Sequence, residues 1–149
     1  MLDAVFDRFV GQLERKGIIT RSGSIVDATF VDVPRQRNTK EENEEIKEGK
    51  TPAAWEAEES RHKKARKDTD ARWAIKNKER HYGYKNHIKT DKKSKIITRY
   101  RVTGAEVHDS RELKNLVEKK KDKRLYGDSA YTGEEVQKCI PEQVLNRIH

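Results

Sequence analysis

The sequence predicts an α/β fold organised on a mixed sheet: a three-stranded antiparallel meander, a fourth strand parallel to the first, flanking helices, and a long charged helical insertion between the first two main strands. Three observations carry this prediction. Stretches at 23–34, 82–91, 95–103 and 124–131 join β-branched or alternating residues to turn residues, which is the pattern of strands. Between the third and fourth runs a helix-period stripe of Leu113, Leu116 and Val117. The fourth strand therefore returns by a helical crossover, and the preferred right-handed crossover sets it beside the first. Finally, Asp27 and Asp128 sit in the first and fourth strands, where a carboxylate is disfavoured unless something compensates its charge.

In order along the chain, Met1 to Lys16 reads as a helix, 1–17 with its stop at Gly17. Leu2, Val5, Phe6, Phe9, Val10 and Leu13 recur at three- and four-residue steps and make one apolar stripe, read as core packing. Ile18 and Ile19 suggest a short strand. Arg21-Ser22-Gly23 turns into the first main strand, which Pro34 closes. From Arg35 to Arg80 apolar residues are few and charges dense. Thr39 and Glu42 have capping-box spacing for a helix ending at Gly49. Thr51-Pro52 starts another, running through Trp55 to Lys67. Asp68 to Trp73 breaks that pattern. The segment 35–80 is open between a solvated helical excursion and a phosphate-contacting arm in which Trp55 and Trp73 stack or pack.

The strand pattern returns at His81, turns at Lys92-Lys93-Ser94, and goes back from Lys95 to Thr103 as a hairpin. Asp109 with Glu112 has capping-box spacing for a helix to Lys121. Thr132 with Glu135 repeats the spacing after the fourth strand, and Val144, Leu145 and Ile148 suggest helix to His149.

Composition narrows the function. The 149 residues suffice for one domain; 32% are hydrophobic and 40% charged, so the core is lean and much of the chain is solvated. A net charge of +8 favours a polyanionic partner, most simply nucleic acid. A single cysteine, Cys139, excludes an internal disulfide and a Cys-rich zinc site. No signal-peptide pattern opens the chain and no run of about 18 apolar residues could span a membrane, so an intracellular protein with no membrane partner is expected.

If the crossover makes the first and fourth strands neighbours, Asp27 and Asp128 come together. Two close carboxylates repel unless a cation lies between them. Hard oxygen ligands favour Mg²⁺ or Mn²⁺, which keep waters and take substrate phosphates as further ligands.

Gly23-Ser-Ile-Val-Asp-Ala-Thr29, Pro34-Arg-Gln-Arg-Asn38, Asp68-Thr-Asp-Ala-Arg-Trp73, Tyr82-Gly-Tyr-Lys-Asn-His87, Val102-Thr103 with Val107-His-Asp-Ser110, and Tyr126-Gly-Asp-Ser-Ala-Tyr131 resemble, in their order, the bacterial IS5-family (IS4-like) DDE transposases. The resemblance covers nearly the whole chain. It implies an RNase H-like fold over 1–149, metal-dependent DNA cleavage and strand transfer at insertion-sequence ends, and work in the bacterial cytoplasm on nucleoid DNA. A homo-oligomer is compatible with it. Asp27 and Asp128 match the first and second catalytic, metal-binding aspartates. Arg35, Arg37, Arg61, Lys63, Lys64, Arg66, Lys67, Arg72 and Lys85 are the candidate DNA contacts. His87 and His108 are open between a place near the site and packing; Tyr126 and Tyr131 read as core.

The third family carboxylate, a Glu on a later helix beyond a further strand, has no clear counterpart. Glu134, Glu135 and Glu142 lack its context. The sequence therefore reads as part of a catalytic domain, incomplete at the C-terminus and inactive alone. The other reading is a non-catalytic basic nucleic-acid-binding remnant.

Overall fold

The computed structural model describes residues 2–128 and 131 and the backbone of 145–147. The helices are α1 (Leu2–Arg15), α2 (Lys40–Lys47), α3 (Arg61–Arg66) and α4 (Asp109–Leu116). The strands are β1 (Ser24–Asp32), β2 (Arg72–Lys76), β3 (Glu79–Asp91), β4 (Ile97–Gly104), β5 (Leu125–Gly127) and β6 (Leu145–Arg147). The chain is an α/β protein that forms two compact units, one of residues 1–29, 86–103 and 107–149, the other of residues 30–85 and 104–106.

In the first unit the strand order is β4–β3–β1–β5–β6. The β3–β4 turn closes with Asp91 N donating to Ile96 O at 2.9 Å, and the edge against β1 with Lys92 N donating to Gly23 O at 2.8 Å. β1 pairs parallel with β5, Ser24 opposite Leu125 and Ile25 opposite Tyr126. A parallel neighbour needs a crossover, and α4 supplies it. Its N-cap is His108, whose Nδ1 accepts from Ser110 N. Asp109, expected as the cap, is instead the first helical residue, where a carboxylate still favours the helix dipole. Leu113 and Leu116 of α4 bury fully against Val26, Leu125 and Tyr131, each contributing about 1.5–3 kcal/mol.

A charged cluster lies beside this core. The ammonium of Lys89, wholly buried, donates to Asp122 Oδ2 at 2.7 Å and Glu118 Oε2 at 3.0 Å. Asp122 also accepts from Ser24 Oγ at 2.8 Å and, through Oδ2, from Glu118 N at 2.7 Å. Arg21 bridges Glu118 to Glu14 of α1. The Asp122 bond to the Glu118 backbone helps to end α4 at Leu116, short of the expected Lys121.

Other expectations change too. Only Val10 of α1 is buried, whereas Leu2, Val5 and Phe9 are 73%, 61% and 52% exposed. The stripe is thus mostly not core: periodicity shows that a helix is amphipathic, not what covers it. Ile18 and Ile19 form no strand, because their amides fold back onto Leu13 O. Residues 145–147, expected as helix, are β6, parallel to β5. The helix expected from Thr132, with Glu134, Glu135 and Glu142, lies outside the described residues.

The second unit holds the insertion. α2 has the expected capping box: Thr39 Oγ1 accepts from Glu42 N at 3.2 Å and Glu42 Oε2 accepts from Thr39 N at 2.9 Å. The helix expected from Thr51 to Lys67 is broken into single 3₁₀ turns at Ala53–Trp55 and Glu58–Ser60, followed by α3. The run Arg61-His-Lys-Lys-Ala-Arg66 has no apolar face to bury, so little holds a longer helix. Trp55 is fully buried, its Nε1 donating to Glu42 Oε1 at 2.6 Å, with Lys67 over its ring at 4.7 Å. The insertion is not wholly helical: β2 pairs antiparallel with β3 from Arg72↔Gly83 to Lys76↔Glu79. Asn77 and Lys78 join them with φ of 52° and 70°, the positive pair that a two-residue hairpin loop requires. With no glycine at the turn, the sequence did not announce it.

The ion cluster predicts an acid limit on stability. Burial alone would raise the Glu118 carboxyl, but hydrogen bonding and the charge of Lys89, then Arg21, hold it at about 2 against an ordinary 4.5. A depressed folded value stabilises fully above the unfolded one and is lost as pH falls through the folded one. Urea unfolding midpoints are expected to be flat near neutral pH and to fall between pH 4.5 and about 2, more steeply in the wild type than in Glu118→Gln.

Candidate functional site

β1 alternates. Ser24 and Val26 are buried toward the ion cluster and the core, whereas Asp27, on the alternate face, is exposed. Asp27 Oδ1 accepts from Ala28 N at 2.8 Å. In β5, Leu125 and Gly127 are buried, and Asp128 follows as an exposed residue. Continued by two residues in each strand, the β1–β5 register sets Asp27 level with Asp128. Residues level in a parallel pair share a face, on strands about 4.8 Å apart.

Tyr131 ties this edge to the core. Its N donates to Asp128 O at 3.2 Å, its ring packs with Val26, Leu113, Leu116 and Leu125, and its hydroxyl is buried with no hydrogen-bond partner among the described residues. Burial, then the negative fields of Asp109, Asp27 and Asp128, push its phenol well above the ordinary value. The three carboxylates therefore act on one point. Asp109 is buried; by sequence it was a helix-cap candidate and part of the Val107-His-Asp-Ser110 motif, and was not singled out as a site residue. The His-Asp-Ser run at 108–110 was the available signal, but it is equally a helix start.

Two exposed carboxylates, one on β1 and one just past the end of β5, are of the hard-oxygen type that fits part of a divalent-cation site, whose remaining positions go to water or phosphate. Among the described residues no group of three or more His, Cys, Asp or Glu side chains lies close enough to hold an ion. The carboxylate pair is thus a partial ligand set.

The candidate DNA contacts fall into two classes. Arg35, Arg37, Lys64 and Arg66 are exposed. Arg35 has its guanidinium 5.2 Å from the centre of the Trp73 ring, and the rest of those described have hydrogen-bond, ion-pair or ring partners. Arg72 donates to the carbonyls of Thr69, Ala71 and Ile46, and Lys67 to Arg37 O, Asn38 Oδ1 and Glu42. Lys63 reaches Glu42 at 3.9 Å. Lys85 is buried with its ammonium 4.8 Å from the centre of the Phe30 ring. The side chain of Arg61 lies outside the described set. His87 is buried, its Nε2 2.9 Å from Thr103 Oγ1. His108 caps α4.

Residues 19–145 match the family described as transposase DDE domain. The chain is 31% identical over 141 residues to the transposase for insertion sequence element IS1106 of Neisseria meningitidis serogroup B, an alignment covering 90% of this chain and 44% of that protein. The chain thus spans under half the length of that relative. No solved structure matches it significantly.

The buried phenol gives a prediction. An unsatisfied buried hydroxyl contributes nothing that phenylalanine lacks. Tyr131→Phe is expected to keep the unfolding free energy within about 0.5 kcal/mol of wild type or to raise it, measured by urea denaturation.

Proposed function

The chain belongs to the transposase DDE domain family, and on that premise we propose that it carries two metal-binding carboxylates, Asp27 and Asp128, of an insertion-sequence transposase acting on DNA ends. The observation that carries this reading is the parallel β1–β5 pairing with its register. The order β4–β3–β1–β5–β6, a meander followed by parallel strands, supports an RNase H-like sheet.

In this reading Asp27 and Asp128 hold Mg²⁺ or Mn²⁺, and a divalent ion there supplies the positive charge that a phosphodiester needs while its bonds change. Asp27 is oriented by the Ala28 amide. Asp128 is oriented by the turn that Tyr131 fastens to the core. Arg35, Arg37, Lys64 and Arg66 supply phosphate contacts. Lys63, Lys67, Arg72 and Lys85 contribute through the shape of the insertion, since protein groups already engage them. No helix among the described residues is long and apolar enough to cross a membrane.

Two carboxylates do not complete a two-ion site. The 149-residue chain alone is therefore expected to bind Mn²⁺ and DNA without cutting. Asp27→Asn and Asp128→Asn should each weaken Mn²⁺ binding at least tenfold, followed by calorimetry. No nicking of insertion-sequence ends should be seen with Mg²⁺ or Mn²⁺. Nicking that needs Asp27 and Asp128 would show that another group completes the site. Ion affinity indifferent to both substitutions would instead favour a non-catalytic nucleic-acid-binding role.

Binding should also be steeply salt-dependent and weakly sequence-selective, since each phosphate neutralised adds about −0.9 to the log–log salt slope. Replacing Lys64 and Arg66 with alanine should flatten that slope by about one unit for each phosphate that is no longer neutralised, measured by fluorescence anisotropy across salt concentrations.

A further inference from the structure

The chain's net charge of +8 is unevenly placed. The insertion, 35–80, is nearly balanced, with 14 Lys and Arg against 11 Asp and Glu, whereas 92–95 and 119–124 together hold eight Lys and Arg against one Asp. In the first unit these two short segments meet at one pole, on either side of the start of β1. Lys92 N donates to Gly23 O and Ser24 N to Arg124 O, both at 2.8 Å. We propose that this pole is a second DNA-binding surface, one that grips duplex phosphates without reading sequence; the inference rests on the reading that the chain acts on DNA.

Each segment turns its carboxylate support inward and its cations outward. Asp91, buried, shapes the β3–β4 turn: its Oδ2 accepts from Ser94 N at 2.8 Å and Ser94 Oγ at 2.9 Å, and its Oδ1 from Arg21 N at 2.9 Å. Lys92, Lys93 and Lys95 are left exposed. Lys95 holds its place at a φ of 61°, where glycine would fit with less strain. Asp122, buried, shapes the other segment through its bonds with Ser24, Lys89 and the Glu118 amide. Lys120, Lys123 and Arg124 are left exposed. Glu14 and Glu118 face Arg21 and Lys121, so Lys121 is not counted with the pole.

The two rows of cations are held at a fixed separation. The turn, β1 and the approach to β5 lie side by side, so the Lys92 and Arg124 backbones are about 10 Å apart, two strand spacings. The Lys92 ammonium lies 4.0 Å from the centre of the Tyr126 ring. A side chain at position 23 would meet that ring at 3.0 Å and the Lys92 chain at 3.4 Å, so glycine lets both close over the start of β1. Like charges gathered this densely repel one another and favour a polyanion lying across them. A spacing of about 10 Å falls between the groove widths of a duplex, about 6 and 12 Å, and brings phosphates bordering either groove within reach of flexible lysines. Asp27 lies four residues along β1 from Gly23, about 13 Å, so DNA held at the pole lies beside the carboxylate edge and not in it.

The test follows duplex binding by the 149-residue chain with fluorescence anisotropy across salt concentrations. Lys93→Gln, Lys95→Gln, Lys120→Gln and Lys123→Gln combined are expected to flatten the log–log salt slope by about two units or more, since each phosphate no longer neutralised removes about 0.9. The 93/95 and 120/123 pairs, changed separately, should each account for part of that loss. Arginine at the same four positions should keep the wild-type slope, and the glutamine variant should keep its urea midpoint, which ties the loss to charge and not to folding. An unchanged slope in the glutamine variant, or an equal loss in the arginine variant, would overturn the pole and leave the DNA reading standing. So would intact duplex binding with lost binding to phosphatidylserine vesicles, the sign of a membrane-facing surface. Failure of the wild type to bind any duplex would overturn both.

Discussion

The ammonium of Lys89 has no access to water, and much of the first unit depends on how that charge is satisfied. An isolated buried ammonium would cost several kcal/mol, and breaking a buried pair typically costs about 3–5 kcal/mol. The chain meets this with Asp122 and Glu118, and both acids recruit further groups: Ser24 at the start of β1, Arg21 before it, and Glu14 on α1. One cation thus connects β3, the segment leading into β5, and the segment leading into β1. Asp122 precedes β5 and grips Ser24, whose Cα partner in the ladder is Leu125. The same contact that neutralises Lys89 therefore sets the β1–β5 register, and the register sets Asp27 against Asp128. The carboxylate edge is held by charge from one end and by Tyr131 from the other.

Much of this was legible in the sequence. The four main strands, the crossover and the parallel return follow from local patterns and one topological rule, and the Thr39–Glu42 capping box is visible as spacing. What was hidden depends on partners distant in sequence. Nothing local marks Lys89 as buried, because a strand lysine is ordinarily exposed and its two acids lie beyond α4. The stripe of α1 could not reveal that half of it faces outward. The strand β2 was obscured by its charges and by a turn built on Asn77 and Lys78 instead of glycine. At the site, Asp27 and Asp128 were legible because a carboxylate in a strand is anomalous. Asp109 was not, because a carboxylate opening a helix is ordinary.

The insertion shows the same division between charge as a label and charge as structure. By sequence its basic residues were open between a solvated helical excursion and a phosphate-contacting arm. Arg72 and Lys67 direct their donors to backbone carbonyls and to the Asn38 and Glu42 side chains, beside the buried Ile46, Trp55, Ala71 and Tyr82. Trp55 is sealed between Glu42 and Lys67 while Trp73 is left half in water. Two residues of one type, both read by sequence as stacking or packing anchors, are thus given opposite surroundings by their neighbours.

The pairing of β1 with β5 also constrains how the molecule comes into being. Every residue of the second unit lies between those two strands in the chain or at the end of β1 itself, so their ladder is among the most non-local pairings present. Closing a loop of that length is entropically costly and slow compared with the local β2–β3 and β3–β4 hairpins. During synthesis the hairpins can form while β5 is still unmade, and β1 waits with one edge open. The two aspartates come level only after nearly all of the first 128 residues have left the ribosome. The edge that brings these two carboxylates together is thus completed only after both local hairpins have had time to form.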